Sequence, residues 1–219
     1  EYPKQVFARA ILGQMLQRLG KKSEALQETK RCLADLADQT PSLEALYVAD
    51  LLFDLRQFRD ASSLYARFVK LPSDDEFTRR LLICLIESDQ RRRAQDILDR
   101  LAPQARLLSS FRRIEANLAR RMGDWPRMRD LLALELEQHP HDARIALGYI
   151  GALYRLDDKA ALTVYLASDP RFKDSSSENE FEFSKYQDNL GLAGLAIARL
   201  YRLYRTHPGN TQAASYYLG

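Results

Sequence analysis

The chain has 219 residues, which is long enough to bury the core of one domain or of two small ones. Its apolar content of 46% is ordinary for a globular protein, and its nine glycines and eight prolines are too few for many tight hairpins, so long helices are favoured. No apolar run approaches the roughly 18 residues that a membrane-spanning helix needs, so the sequence predicts no such segment within this chain.

A helix, a tight turn and a second helix are predicted at the start of the chain, because two runs with apolar residues three and four apart flank Gly20. The same pattern recurs every 33 to 36 residues, marked by one small or apolar position in each second helix: Ala25, Ala61, Ala94, Met128, Ala161 and Ala196. The predicted turn residue lies five positions before each marker: Gly20, Arg56, Asp89, Gly123, Leu156 and Gly191.

These markers predict a row of helix pairs. The predicted repeats cover residues 5–40, 41–72, 73–106, 107–140, 141–170 and 177–208, with a partial repeat at 209–219. Prolines follow most of the second helices, where a helix must stop: Pro41, Pro72, Pro140, Pro170 and Pro208. A lone helix pair cannot bury its apolar stripe, whereas stacked pairs shield one another, so we expect one array over residues 1–219.

One segment interrupts the regular pattern. Residues 171–177 are polar and rich in serine, and they are predicted to form a mobile loop. Ser177 and Glu180 have the spacing of a capping box, in which a serine and a glutamate satisfy the first amides of a helix, so a helix is predicted to begin near Glu178.

Two interpretations remain open for residues 178–206. The apolar spacing over this stretch fits one long helix. Gly191 and Gly194 favour two helices with a turn between them, because glycine disfavours the helix interior and is common at helix ends.

The repeats carry a recognisable set of small and large apolar positions. In the first repeat these are Leu12, Gly13, Leu16, Gly20 and Ala25, and in the fourth they are Ala116, Gly123, Trp125, Met128, Leu132 and Pro140. This pattern resembles the tetratricopeptide repeat family, with about six degenerate repeats. Glu115 departs from it, because an apolar residue is expected at that position. The resemblance implies an all-α, right-handed superhelical α-solenoid of stacked antiparallel helix pairs, in which the first helices line a concave, ligand-docking surface.

Both ends of the sequence fit the interior of a repeat. Pro208 precedes Tyr217 by nine residues and Pro3 precedes Leu12 by nine, which is the spacing from proline to first helix found inside the array. We therefore expect the chain to be part of a longer array, with uncapped apolar end faces through which it could self-associate.

The best candidate binding site is an arginine-rich region. Residues 76–130 hold 13 basic and 8 acidic side chains, although the net charge of the whole chain is only +3. Six residues in the first helices of the third and fourth repeats are predicted to form a partner-binding patch: Arg79, Arg80, Arg113, Asn117, Arg120 and Arg121. Guanidinium groups suit the planar recognition of carboxylates and phosphates. The competing interpretation is a solvated face whose arginines pair with nearby glutamates and aspartates.

The histidines and cysteines are predicted to have structural roles and no chemical ones. His139 and His141 look like a metal pair, but no third ligand lies near them in the sequence, so no metal is expected. Cys32 and Cys84 stand among apolar residues and are predicted to be small core side chains. The sequence contains no glycine-rich phosphate loop and no nucleophile elbow, so neither a cofactor nor an enzymatic activity is expected.

The sequence therefore predicts a non-catalytic scaffold that binds another protein or a peptide. Two alternatives stay open. One is a periplasmic scaffold of a bacterial exopolysaccharide-export or secretion system, which rests on analogy with repeat arrays of that kind. The other is a binder of nucleic acid or another anionic polymer that uses the arginine patch. The compartment, cytoplasmic or periplasmic, is not determined by the sequence.

Overall fold

A computed structural model describes residues 2–36, 42–69, 72–73, 75–172 and 175–207. Over these ranges the chain forms thirteen helices and no strand. Of the helices in the described residues, none is long and apolar enough to cross a membrane. The contacts divide the chain into two compact units, unit 1 from Glu1 to Ile114 and unit 2 from Glu115 to Gly219.

Unit 1 contains three successive helix pairs. Its helices are α1 (Tyr2–Arg18), α2 (Lys22–Asp35), α3 (Leu43–Asp54), α4 (Phe58–Phe68), α5 (Glu76–Glu87), α6 (Arg91–Arg100), the short α7 (Pro103–Arg106) and the start of α8 (Ser109–Met122). The pairs α1/α2, α3/α4 and α5/α6 pack side by side, and neighbouring pairs contact each other through α1 and α3 and through α4 and α5.

Unit 2 continues the pattern. It holds the end of α8, then α9 (Trp125–Gln138), α10 (Ala143–Arg155), α11 (Lys159–Ala167), α12 (Ser177–Asn189) and α13 (Ala193–Thr206). Ala116 and Ala119 of α8 share one buried cluster with Met128 and Leu132 of α9 and with residues of α10. A second cluster joins α10, α11 and α12 and includes the fully buried Phe183.

Each first helix ends in a left-handed turn. The residues with positive φ at these turns, between 54° and 77°, are Gly20, Arg56, Asp89, Gly123, Asp157 and Gly191. The next amide donates to the carbonyl five residues earlier, as Lys21 does to Leu16 at 2.9 Å and Gln57 to Leu52 at 2.8 Å. This bonding satisfies the last carbonyls of the helix and reverses the chain within three residues.

The predicted turn residue has the positive φ at five of the six turns. The prediction was wrong by one residue at the fifth turn. Asp157, not Leu156, has the positive φ, and the buried marker five residues later is Leu162 rather than the half-buried Ala161. The sequence pattern had favoured the smallest side chain as the marker. In the structure Leu162 fills the contact between the helices, and the steps on either side of it become equal at 34 residues.

The two cysteines are core residues. Both side chains are fully buried, and the Cys32 thiol lies 3.6 Å from the carbonyl oxygen of Val6. Burial raises the pKa of Cys32 to about 11 and that of Cys84 to about 12. Both thiols therefore stay protonated and unreactive at neutral pH.

Residues 178–206, for which the sequence allowed either one long helix or two, form two helices. The first, α12, ends at Asn189, and the second, α13, begins at Ala193. The residue that caps α12 is Ser176 and not the predicted Ser177, because α12 begins one residue earlier than expected. The Ser176 hydroxyl accepts a hydrogen bond from the amide of Asn179 at 3.2 Å. Residues 173–174 of the predicted loop and the partial repeat at 209–219 lie outside the described residues.

The turn geometry makes a matched prediction. Gly191→Ala is expected to lower the free energy of unfolding by about 1–2 kcal/mol, because a side chain with Cβ is strained at φ +75°. Gly194→Ala, three residues on inside α13, is expected to be neutral or to stabilise by up to about 1 kcal/mol. A Cβ has open space at both positions, so steric contact cannot explain the difference. Urea unfolding followed by circular dichroism measures both; equal effects would contradict the role of the turn.

Candidate functional site

The six residues of the predicted patch are divided between the two units. Arg79 and Arg80 lie on α5 and Arg113 on the part of α8 that belongs to unit 1. Asn117, Arg120 and Arg121 lie on the part of α8 in unit 2, where the Arg120 guanidinium donates to the Asn117 side-chain oxygen at 2.9 Å. That all six form one partner-binding surface stays a prediction.

Arg80 is held in a network of polar contacts. Its Nη1 donates to Asp50 Oδ1 at 2.6 Å and its Nε to Glu76 Oε1 at 2.8 Å, and its guanidinium lies 5.5 Å from the ring centre of Phe53. The buried hydroxyl of Tyr65 also donates to Asp50. Burial and this hydrogen bond raise the pKa of Tyr65, so it remains a neutral donor. Arg80 therefore links α3, α4 and α5, and two carboxylates offset its charge.

Arg79 also pairs with an acidic side chain of its own helix. Its Nη2 lies 3.0 Å from Glu76 Oε2, one turn earlier on α5. The hydrogen bonds from Arg80, and then those from Arg79, hold the pKa of Glu76 below its usual value. The two arginines of α5 that the sequence assigned to a partner thus pair with Glu76 of the same helix and, for Arg80, with Asp50 of α3.

A second ionic cluster lies in unit 2, and no pattern in the sequence predicts it. Arg199 of α13 is buried between two rings, with its guanidinium 4.3 Å from the centre of Phe183 and 5.5 Å from that of Phe172. It donates to Glu180 at 2.6 Å and to Asp169 at 2.7 Å. The cluster fixes the segment after α11 onto α12 and α13, since Arg199 also donates to the carbonyl oxygen of Pro170 at 2.7 Å.

Asp169 receives most of the hydrogen bonds in this cluster. Arg199, Arg202 and Gln187 donate to its carboxylate at 2.7, 2.9 and 3.3 Å. Burial by itself would raise the pKa of Asp169, but the hydrogen bonds and charge of Arg199 and the hydrogen bond from Arg202 hold it below the usual value. The ionised carboxylate is therefore favoured in the folded protein.

The fourth repeat accommodates Glu115 by an ion pair. Its side chain is buried at the position where the repeat pattern expects an apolar residue, and Arg127 of α9 donates to it from Nε at 3.0 Å. Two nitrogens of the Arg127 guanidinium, Nε and Nη2, donate to the same oxygen of the buried carboxylate, so the departure from the pattern does not break the fold.

The described residues hold no group of three His, Cys, Asp or Glu side chains that could bind a metal ion. His139 and His141 lie in the connection between α9 and α10, as predicted, and both are exposed. Nδ1 of His141 lies 2.8 Å from the carbonyl oxygen of Arg171. This ring nitrogen is therefore engaged in a hydrogen bond.

Unit 2 contains a groove of about 470 Å³ along its first helices. Helices α8, α10 and α12 line it, together with the start of α9, through Arg120, Trp125, Met128, Leu147, Gly148, Gly151, Tyr154, Arg155 and Tyr186. The groove therefore lies on the helices that the repeat resemblance assigns to ligand docking. Of the six predicted site residues, Arg120 is one of its lining residues.

Aromatic rings and arginines form the walls of this groove. The Tyr154 side chain is 65% exposed, and its ring centre lies 6.3 Å from that of Tyr186 in an edge arrangement. The Arg155 guanidinium lies 5.5 Å from the ring centre of Trp125. Accessible aromatic rings beside a cation present both apolar surface and a partner for a carboxylate. The repeat pattern marks Trp125 as one of its apolar positions and predicts no binding role for either tyrosine.

The floor of the groove contains two glycines inside α10, where glycine destabilises a helix by about 1 kcal/mol relative to alanine. At Gly148 a Cβ would lie 3.0 Å from Leu132 Cδ1, so packing against α9 explains the glycine. At Gly151 a Cβ would meet no atom within 4 Å. No internal contact requires glycine there, and its effect is to keep the groove open. Two glycines within a predicted helix were the one signal in the sequence that could have indicated this site.

The Arg80 network makes a prediction about stability. Arg80→Met is expected to lower the free energy of unfolding by about 1–2 kcal/mol, because hydrogen bonds to Asp50 and Glu76 are lost while the aliphatic packing is largely kept. Arg91→Met is the control, since Arg91 forms an exposed pair with Asp89 two residues away, and it should change stability by less than about 0.5 kcal/mol. Thermal unfolding of both variants tests this; equal stabilities would contradict a structural role for Arg80.

The lowered pKa of Asp169 predicts a dependence on pH. Its carboxylate stabilises the fold fully above the unfolded-state pKa of about 4, and this contribution is lost as pH falls through the lower folded-state value. Asp169→Asn should therefore destabilise by about 1–3 kcal/mol at neutral pH, and the difference from wild type should shrink below about pH 4. Urea unfolding across this range measures the gap; a constant gap would contradict the assignment.

Comparison with known proteins supports the fold. No protein-family model matches the chain, and no curated protein sequence does so either. Among solved structures, a tetratricopeptide repeat protein from Parabacteroides merdae superimposes with a TM-score of 0.59 at 14% sequence identity, over 95% of this chain and 81% of that one. PilF of Pseudomonas aeruginosa superimposes with a TM-score of 0.53, also at 14% identity, over 98% of this chain and 97% of that one.

These similarities and the paired helices of both units confirm the prediction of an all-α array of helix pairs. The chain has the fold of tetratricopeptide repeat proteins.

Proposed function

We propose that the protein is a non-catalytic interaction scaffold that binds an extended peptide segment of another protein in the groove of unit 2. The observation that carries this proposal is the open position at Gly151, which lines a groove together with the exposed ring of Tyr154 and the half-buried rings of Trp125 and Tyr186. A helix interior without a Cβ allows a second backbone to approach closely. An accessible apolar groove with few polar groups is the usual form of a binding site.

The lining residues specify the chemistry of the peptide. Tyr154, Tyr186 and Trp125 offer ring faces and edges to apolar or aromatic side chains. Arg120 and Arg155 border the same groove and would pair with a carboxylate of the peptide. We therefore expect the bound segment to combine an aspartate or glutamate with neighbouring apolar residues. The two solved tetratricopeptide repeat folds support a scaffold architecture of this kind.

Binding of an anionic polymer is the less favoured alternative. It would need arginines whose charge is available at the surface, but Arg79 and Arg80 lie within 3.0 Å of Glu76 and Arg80 also contacts Asp50. These pairs lower the positive potential that α5 offers to phosphates. The exopolysaccharide-export interpretation still rests on analogy, since no contact among the described residues bears on it.

Blocking the groove tests the proposal. Random linear peptides displayed on phage would be selected for binding to the wild-type protein and then measured by calorimetry. Gly151→Leu places a side chain in the open groove and should weaken the selected peptides at least about tenfold. Its thermal stability should be unchanged or higher, because leucine favours helix and meets no clash.

Gly194→Leu is the matched control, because a Cβ there also has open space but the residue lies on α13, away from the groove. It should bind the peptides as wild type does. Selected peptides that bind both variants equally well would overturn the groove as the site. A loss of affinity by a factor of about 10³ or more between low and moderate salt would instead favour the anionic-polymer alternative.

A further inference from the structure

The first described helix exposes positions that the other first helices cover. Counting back from each left-handed turn, the positions five and eight residues earlier are Met15 and Leu12 in α1, and these side chains are 58% and 46% exposed. The equivalent positions in the other first helices are buried or half-buried: Val48, Leu51, Leu81, Cys84, Glu115, Leu118, Tyr149, Ala152, Phe183 and Tyr186. This face is the one by which a first helix joins the pair before it, as α3 and α5 do in unit 1.

The last described helix is exposed on the opposite side. Ile197 follows the buried marker Ala196 by one residue, and its side chain is 52% exposed. The equivalent residues of the other second helices are buried or half-buried: Leu26, Ser62, Gln95, Arg129 and Thr163. Tyr204, two turns further along the same side of α13, is 43% exposed.

The position of Ile197 is one that contacts the following pair. In unit 1 the equivalent Ser62 accepts a hydrogen bond from Gln90, which begins the second helix of the next pair, at 3.3 Å. Seven residues further along, the position equivalent to Tyr204 in α9 is Leu136, which packs against the cores that α10 shares. Ile197 and Tyr204 thus stand where a following helix pair would pack.

The two exposed faces are complementary in kind, because α1 presents the surface of a first helix and α13 presents the surface that receives one. We infer that a second copy of this chain covers them, with α1 of one copy packing on α13 of the next. The contact continues the interface that already joins α4 to α5 and α9 to α10 within the chain. A head-to-tail contact between unlike faces leaves one of each face open, so association does not stop at a dimer.

This inference is independent of the peptide groove, and two variants test it. Met15→Glu places a charge on the α1 face, and Ile197→Glu places one on the α13 face. Both side chains are exposed, so folding should be unaffected, and circular dichroism checks this. Wild type should show a weight-average mass that rises with concentration in sedimentation velocity, and each variant should associate at least about tenfold more weakly.

Mixing the variants gives the decisive result. Met15→Glu keeps an intact α13 face and Ile197→Glu keeps an intact α1 face, so an equimolar mixture should form a one-to-one dimer and nothing larger. Val164→Glu, at a 73% exposed apolar side chain of α11, is the control and should associate like wild type. Leu12→Glu and Tyr204→Glu repeat the test at the same two faces if either first variant folds poorly.

Three outcomes would overturn the inference. A wild-type protein that stays monomeric at all concentrations would show that the two faces do not join copies of this chain. Dimers of Met15→Glu by itself would indicate a symmetric contact between two α13 faces. A mixture of the two variants that remains monomeric would show that the two faces do not bind each other.

Discussion

A pair of short antiparallel helices cannot bury all of its apolar side chains, and this constraint shapes the whole molecule. Each first helix closes with a left-handed residue whose following amide bonds to the carbonyl five residues back, so the second helix returns along the first. The side of the pair that remains apolar is then covered by the next pair, as α5 covers α4 and α10 covers α9. Within each unit, turns and covering positions therefore share one period.

The same period produces the groove. Arg120 and Tyr154 both lie three residues before a left-handed turn, in consecutive first helices, so the repeat places them side by side along one surface. Gly151, one turn before Tyr154, leaves this surface concave. No single repeat contains the site, since its walls come from three first helices and the start of α9. A chain of weakly similar repeats can therefore build one specific groove by changing a few exposed positions while the buried ones keep the fold.

The sequence predicted what depends on local spacing and missed what depends on distant partners. Helix pairs and five of six turns follow from the period, whereas the fifth turn was misplaced by one residue because the small Ala161, and not the buried Leu162, was chosen as the marker. Arg80 looked available to a ligand because its partner Asp50 lies 30 residues away and on another helix pair. Tyr154 and Tyr186 looked like ordinary aromatic positions of their own helices. Their shared surface exists only after α10 and α12 pack, which no local pattern encodes.

The two proposals meet at the end of the array. If α1 of a second copy packs on α13, it takes the place of the next first helix after α12, because it presents the same covered positions as the first helices within the chain. The row of first helices that begins at α8 and passes through α10 and α12 would then continue into the second copy. Association would lengthen the peptide-binding surface rather than block it, since the groove lies on the first helices and Ile197 lies on a second helix. Peptide binding and head-to-tail contact are therefore compatible, and a peptide long enough to span both copies would bind the assembled form more tightly than the monomer.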